Sequence, residues 1–165
     1  MTEPRRYAEG TAVSVEKSRA EIEKLLKAHG ASQFFSAWDE KTGAAMIGFR
    51  MKERVFRLTV HEPKLESAPK PKVHIWDSTK KLAYQRKWVE GERMRRWRAQ
   101  LLLIKAKLEM VATGETTIER EFLADMLTPN GQTVGQQAIP ALAKAYATGT
   151  MPALPMFASN DSEEP

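Results

Sequence analysis

Apolar side chains recur at Met94, Trp97, Leu101, Ile104, Leu108 and Val111, spaced 3, 4, 3, 4 and 3 residues apart. An α-helix turns once in about 3.6 residues, so this spacing stacks all six on one face, and that face has to be buried against another layer. The chain must therefore contain a long helix, and the remaining residues must supply the surface that it covers. The helix is expected to begin near Thr79, to pass through or kink at Gly91, and to stop at Gly114, where a residue free to take positive φ terminates it.

Period-two patterning supplies the covered surface. Gln33 to Trp38 is rich in aromatics, Ala44 to Met51 alternates, and Val55 to His61 places Phe56, Leu58 and Val60 on one side with Arg57, Thr59 and His61 on the other. Turns at Asp39–Gly43 and Lys52–Arg54 join these runs into an antiparallel meander with one wet face. Phe34, Phe35, Trp38 and Phe49 read as core, and Met94, Met110 and Met126 as fillers of gaps within it. Ser18 and Glu21 have the spacing of a capping box before Ile22, Leu25, Leu26 and His29, an amphipathic stripe closed by Gly30. The preceding Thr11–Val15 reads as a short strand, and Val73–Trp76 as another at a sheet edge.

Beyond the long helix, Thr116 and Glu119 form a second capping-box pattern ahead of Ile118, Phe122, Leu123 and Met126. Thr128-Pro129-Asn130-Gly131 is a turn signal. Gln136 to Ala147 reads as a last helix with Ile139, Leu142, Ala143 and Tyr146 on its apolar side and Pro140 near its first turn. The fold class expected is α+β: a meander packed by an N-terminal helix and the long basic helix, with two short C-terminal helices. Residues 11–150 form the single domain, 1–10 a loose N-terminus and 151–165 a flexible acidic tail.

Charge is segregated along the chain. Of 26 Lys and Arg, ten fall in residues 79–107, where the only acids are Glu90 and Glu92. Residues 108–165 carry Arg120 and Lys144 against eight acids. A concentration of cations attracts polyanions whatever the net charge of +5. Arg86, Lys87, Arg93, Arg95 and Arg98 are the candidate phosphate ligands, with Arg54 and Arg57 joining from the sheet. Trp88 and Trp76 are the aromatics open to stacking on bases. Trp97 belongs to the apolar seam, and Arg93 and Arg96, which flank it, also suit a role at the edge of the core.

Few residues suggest catalysis. The chain has no cysteine, which removes disulfides, thiolate nucleophiles and sulfur-ligated metal sites. His29, His61 and His74 lie on separate elements without metal-ligand spacing, and His29 reads as a helix C-terminal residue. Glu115, Glu119, Glu121 and Asp125 could hold a magnesium ion for a nuclease, but their spacing on one short helix reads as capping and surface charge. No phosphate-cradling glycine loop is present. A non-enzymatic protein without cofactor or metal is expected. No apolar run approaches the roughly 20 residues of a membrane span, and Met1–Gly10 lacks the core of a secretory signal, so the cytoplasm is the expected compartment.

Two blocks, VSVEKSRAEIEKLLKAHGA (Val13 to Ala31) and RWRAQLLLIKAKLEMVATGETTIEREFLADMLTPNGQTVGQQAIPALAKAYATGTMPALP (Arg96 to Pro155), resemble a family of small uncharacterised proteins that recurs in bacteriophage and prophage genomes. They cover about half the chain. The resemblance implies a bacterial host cytoplasm and a role in phage replication, recombination or counter-defence. Its implied partner is nucleic acid, DNA more than RNA, with an acidic host protein bound through the basic helix as the alternative. It carries over no assigned site residue.

Overall fold

The computed structural model describes residues 6–40, 42–71 and 77–150. Helix α1 (Val15–Ala28) begins one turn before the expected start, because Ser14 and not Ser18 is its N-cap: the Ser14 hydroxyl accepts from the Lys17 amide at 3.2 Å. Ser18 is buried inside the helix and donates its hydroxyl to the Ser14 carbonyl at 3.0 Å. Thr11–Ser14 leads into α1 as irregular chain, so the strand expected there is absent. Ile22 and Leu26 are fully buried, and Gly30, at φ 92°, turns the chain into the sheet.

Strands β1 (Ala31–Asp39), β2 (Ala44–Met51) and β3 (Arg54–His61) form an antiparallel sheet in the order β1-β2-β3. Phe34 pairs with Phe49 and Phe49 with Phe56, while Ser36, Ile47 and Leu58 align one step further along. This register places Ala45, Ile47, Phe49, Phe56, Leu58 and Val60 on the face that meets α1 and the long helix. Phe35 has the opposite parity, opposite Gly48, and lies outside the core; its ring covers Gly48 at a distance that leaves no room for a Cβ. Trp38 has core-side parity, opposite Ala45, but stands near the end of an edge strand and is 61% exposed. The expectation that both are core residues is therefore corrected. Aromaticity does not bury a side chain where no layer lies above it.

Helix α2 (Ser78–Ala112) is continuous through Gly91. Its 35 residues span about 52 Å, against about 27 Å for an eight-residue strand. The sheet can therefore cover only part of it. Trp97, Leu101, Ile104 and Leu108 are buried as the seam requires, with Val111 packed at its end, whereas no residue from 78 to 91 is buried. Met110 lies on another side of the helix and is exposed, so it fills no gap.

After α2 the chain makes a single helical turn, α3 (Ile118–Glu121), capped by Thr117 in place of Thr116, and a 3-10 turn at Leu123–Asp125. Ile118 and Phe122 are buried, and Leu123 is exposed. Phe49, Phe56 and Phe122 form an aromatic trio with centroids 5.0, 5.4 and 5.7 Å apart. The Leu127 amide donates to the Val55 carbonyl at 2.8 Å, tying this segment to the β3 edge.

Helix α4 (Val134–Thr148) opens with a capping box formed by Thr133 and Gln136, two residues earlier than expected. Pro140 is consequently its seventh residue, where the ring removes an internal hydrogen bond. Contact with the body is made near its start, where Gly135 lies so close to the Ala124 carbonyl that a Cβ would stand 2.8 Å from that oxygen. Ile139, Leu142 and Tyr146, expected on an apolar side, are exposed. The strand expected at Val73–Trp76 and the tail 151–165 lie outside the described residues.

Replacing Phe49 by Ala should cost about 3–5 kcal/mol in urea unfolding, because it empties the centre of the trio. Trp38→Ala, at an exposed site, should cost less than about 1 kcal/mol in the same measurement.

Candidate nucleic-acid interface

The basic segment divides into two parts with different chemistry. In the first, Glu92 is 7% exposed and collects three guanidinium groups. Arg95 donates Nε to one carboxylate oxygen and Nη2 to the other, each at 2.8 Å. Arg96 Nε donates at 3.2 Å, and Arg6 approaches to 3.6 Å. Arg96 also donates Nη1 to the His61 carbonyl at 2.6 Å. Arg93 pairs with Glu62 at 2.8 Å and more distantly with Glu90 at 3.9 Å, and Arg98 with Glu21 at 2.6 Å. These contacts link α2 to α1, to the N-terminal segment and to the chain following β3.

The Arg95 hydrogen bonds lower the Glu92 pKa to about 2, with burial opposing and Arg96 assisting. The same pair raises that of Arg95. Arg93, Arg95 and Arg98 are thus placed as internal ion-pair partners and not as a free phosphate-binding row. The signal for part of this was present in the sequence: Glu92 precedes Arg95 by three residues and Arg96 by four, the spacings at which helical side chains meet. Glu21 and Glu62, distant in sequence, could be matched with their partners only through the fold.

The sheet arginines do not extend the helix surface. Arg57 pairs with Gly48 on the face turned away from α2, and its Nη2 donates to Gln136 at 2.9 Å. Arg54, opposite Met51, has the other parity and is exposed at the hairpin. There, together with Lys52, it adds to the lowering of the Glu119 pKa, whose main cause is a backbone hydrogen bond.

The second part is the overhanging half of α2. Lys80, Lys81, Arg86 and Lys87 are exposed there, and among the described residues none makes a side-chain hydrogen bond or ion pair. Asp77 caps the helix, accepting from the Thr79 and Lys80 amides at 2.8 and 3.3 Å. Gln85 secures the arm by donating to the Leu65 carbonyl at 3.3 Å, beside exposed Lys64. Lys80 and Lys87 stand two turns apart on one face with Tyr84 between them. Lys81 and Trp88 have the same spacing on the adjoining strip, and Trp88 is half-buried. Trp76 lies outside the described residues.

A cavity of about 310 Å³ lies where α1 starts, between β1 and α2, with Trp38, Trp97, Arg19, Arg93, Glu16 and Glu62 in its walls. The Trp97 Nε1 is buried without a hydrogen-bond acceptor. Two cations balance two acids in these walls, so the cavity has no electrostatic preference for a polyanion. Among the described residues no group of three or more His, Asp or Glu is placed to hold a metal ion. Asp125 faces Lys107 at 3.6 Å, with its pKa raised by burial against that cation's pull. His29 Nδ1 lies 2.9 Å from the Leu25 carbonyl at the α1 terminus. Among the described residues no helix is long and apolar enough to cross a membrane. No family model matches the chain, and neither the curated proteins nor the solved structures contain a match.

Because the folded-state pKa of Glu92 is depressed, its stabilising contribution is complete above the unfolded value of 4.5 and is lost as pH falls towards about 2. Thermal midpoints measured from pH 6 to pH 2 should fall more steeply for the native chain than for Glu92→Gln, which should start from a lower midpoint at pH 6.

Proposed function

We propose that this chain is a non-enzymatic nucleic-acid-binding protein whose contact surface is the overhanging half of α2. The observation that carries the reading is the set Lys80, Lys81, Arg86 and Lys87: four exposed cations without acidic partners among the described residues, on a length of helix in which no residue is fully buried. Residues 78–89 contain no acid. Such an arm offers a phosphate backbone successive point charges from Lys and a bidentate fork from Arg86. Trp88, on the strip beside Lys81, supplies an aromatic surface for an unpaired base, which favours single strands over duplex. Arg93, Arg95 and Arg98 keep the arm's base fixed to the body. The resemblance to phage-encoded proteins supports a setting in replication, recombination or counter-defence within the host cytoplasm.

A second reading, an adaptor or inhibitor that docks on a host protein, is favoured by one observation. Ile139, Leu142 and Tyr146 form an exposed apolar strip on α4, with Tyr146 91% exposed, and such strips commonly mark protein contacts.

Salt titration of binding to labelled single- and double-stranded oligonucleotides separates the two. Four phosphate contacts give a slope of log affinity against log salt near −3 on a single strand, at about −0.7 per contact. Lys80→Glu with Lys87→Glu should at least halve that slope, whereas Arg57→Ala should leave it unchanged. Absence of binding at ~50 mM salt, where electrostatic affinity is strong, would end the nucleic-acid reading and leave the adaptor.

A further inference from the structure

Helix α2 carries a second apolar strip that its own fold does not use. Leu102, Leu103 and Met110 are 44%, 46% and 47% exposed, on a helix whose other side is buried. Ala99, Leu103, Ala106 and Met110 follow one another at spacings of 4, 3 and 4, which places them on one face across about 17 Å of helix. Leu103, Ala106 and Met110 are exposed, and Ala99 is half-buried where the strip meets the end of β3. The strip continues from the groove that Ala99, Gln100 and Leu103 form with Thr59, Val60 and His61.

The order of side chains along this strip is small, large, small, large, and the spacing 4-3-4 reads the same from either end. We infer that the strip is a homodimer interface in which α2 packs antiparallel against α2 of a second copy. With the twofold axis between Leu103 and Ala106, Leu103 meets the partner's Ala106 and Met110 meets the partner's Ala99. Every large side chain then faces a small one, the interdigitation that helix pairs require. A parallel pair sets Met110 against Met110 and Ala99 against Ala99, overfilled at one end and hollow at the other.

The residues just before each strip position give the same answer. Arg98, Leu102, Lys105 and Glu109 repeat the 4-3-4 spacing along one flank. Antiparallel pairing brings Arg98, whose Nη1 already holds Glu21 at 2.6 Å, beside the partner's Glu109, so that its remaining donors bridge to a second carboxylate, and it sets Leu102 beside the aliphatic stem of the partner's Lys105. Glu109 is exposed, and among the described residues its carboxylate makes no hydrogen bond or ion pair. Parallel pairing would put this flank on opposite sides of the seam in the two copies, so Arg98 and the partner's Glu109 would not meet. The partner that fits this face is another copy of the same chain, because its shape and charge are self-complementary under an antiparallel twofold.

Sedimentation and light scattering on the full chain test the inference. The interface is small, so a mass of twice 18.7 kDa should appear over roughly 10–200 µM. Leu103→Glu and, separately, Met110→Lys should each give monomer, with far-UV circular dichroism retained because both sites are exposed. The cysteine-free chain then allows the register to be read. An Ala99→Cys protein mixed with a Met110→Cys protein should cross-link on mild oxidation, whereas either alone should not, since its own twofold mate lies about 17 Å away, beyond the roughly 7 Å Cα limit for a disulfide. A monomer at 200 µM, a dimer indifferent to both strip substitutions, or cross-linking of Ala99→Cys to itself would each overturn the proposal.

Discussion

The burial of one face of α2 against a three-stranded sheet is the interaction on which the rest of the molecule depends. Trp97, Leu101, Ile104 and Leu108 enter a core whose opposite wall is Ile47, Phe49, Phe56 and Leu58, with Ile22 and Leu26 of α1 closing the side. The opposite face of the sheet is only partly covered among the described residues, with Phe35 exposed and Arg57 bonded to Gln136. Phe122 reaches this core from the C-terminal segment and stacks edge-on against Phe49, which connects the far end of the chain to its centre. Lys107 serves the same junction: its ammonium lies 4.6 Å from the Phe122 ring centroid and donates to the Glu121 carbonyl at 2.6 Å.

Periodicity made much of this legible. The α2 seam, the two hairpins and the α1 stripe are strictly repeating patterns, and each repeat is imposed by backbone geometry that no tertiary contact alters. Caps were less legible, because Ser14 competes with Ser18 and Thr117 with Thr116, and only the surrounding chain path decides which hydroxyl turns inward. Exposure was least legible. Phe35, Trp38, Ile139 and Tyr146 are large and apolar, yet whether a second layer lies over them depends on sheet width and helix length, neither of which is encoded locally.

The candidate site shows the same boundary. A run of cations is visible in the sequence, but its electrostatic meaning depends on where the acids arrive. Glu92 lies within reach of Arg95 and Arg96 on the same helix, and that contact could be anticipated from spacing. Glu21 and Glu62 reach Arg98 and Arg93 only after α1 and the end of β3 fold against α2. The segment with the highest charge density is therefore the one most thoroughly neutralised. Among the described residues, Lys80, Lys81, Arg86 and Lys87 of the overhang make no side-chain ion pair, and neither does Lys105 further along the helix.

The mismatch between a 35-residue helix and strands of eight or nine residues has a thermodynamic consequence of its own. The overhanging turns are held by their internal hydrogen bonds, the Asp77 cap and the Gln85 contact to Leu65, while the mutual repulsion of their like charges opposes them. A segment of that length is marginal as an isolated helix. Its helix–coil equilibrium is consequently expected to be set apart from the cooperative unit around Trp97, and amide protons near Lys81 should exchange with solvent faster than those near fully buried Ile104. If the proposed polyanion binds there, it would screen the repulsion and shift that equilibrium towards helix, so its occupancy would be recorded in the arm's own backbone order.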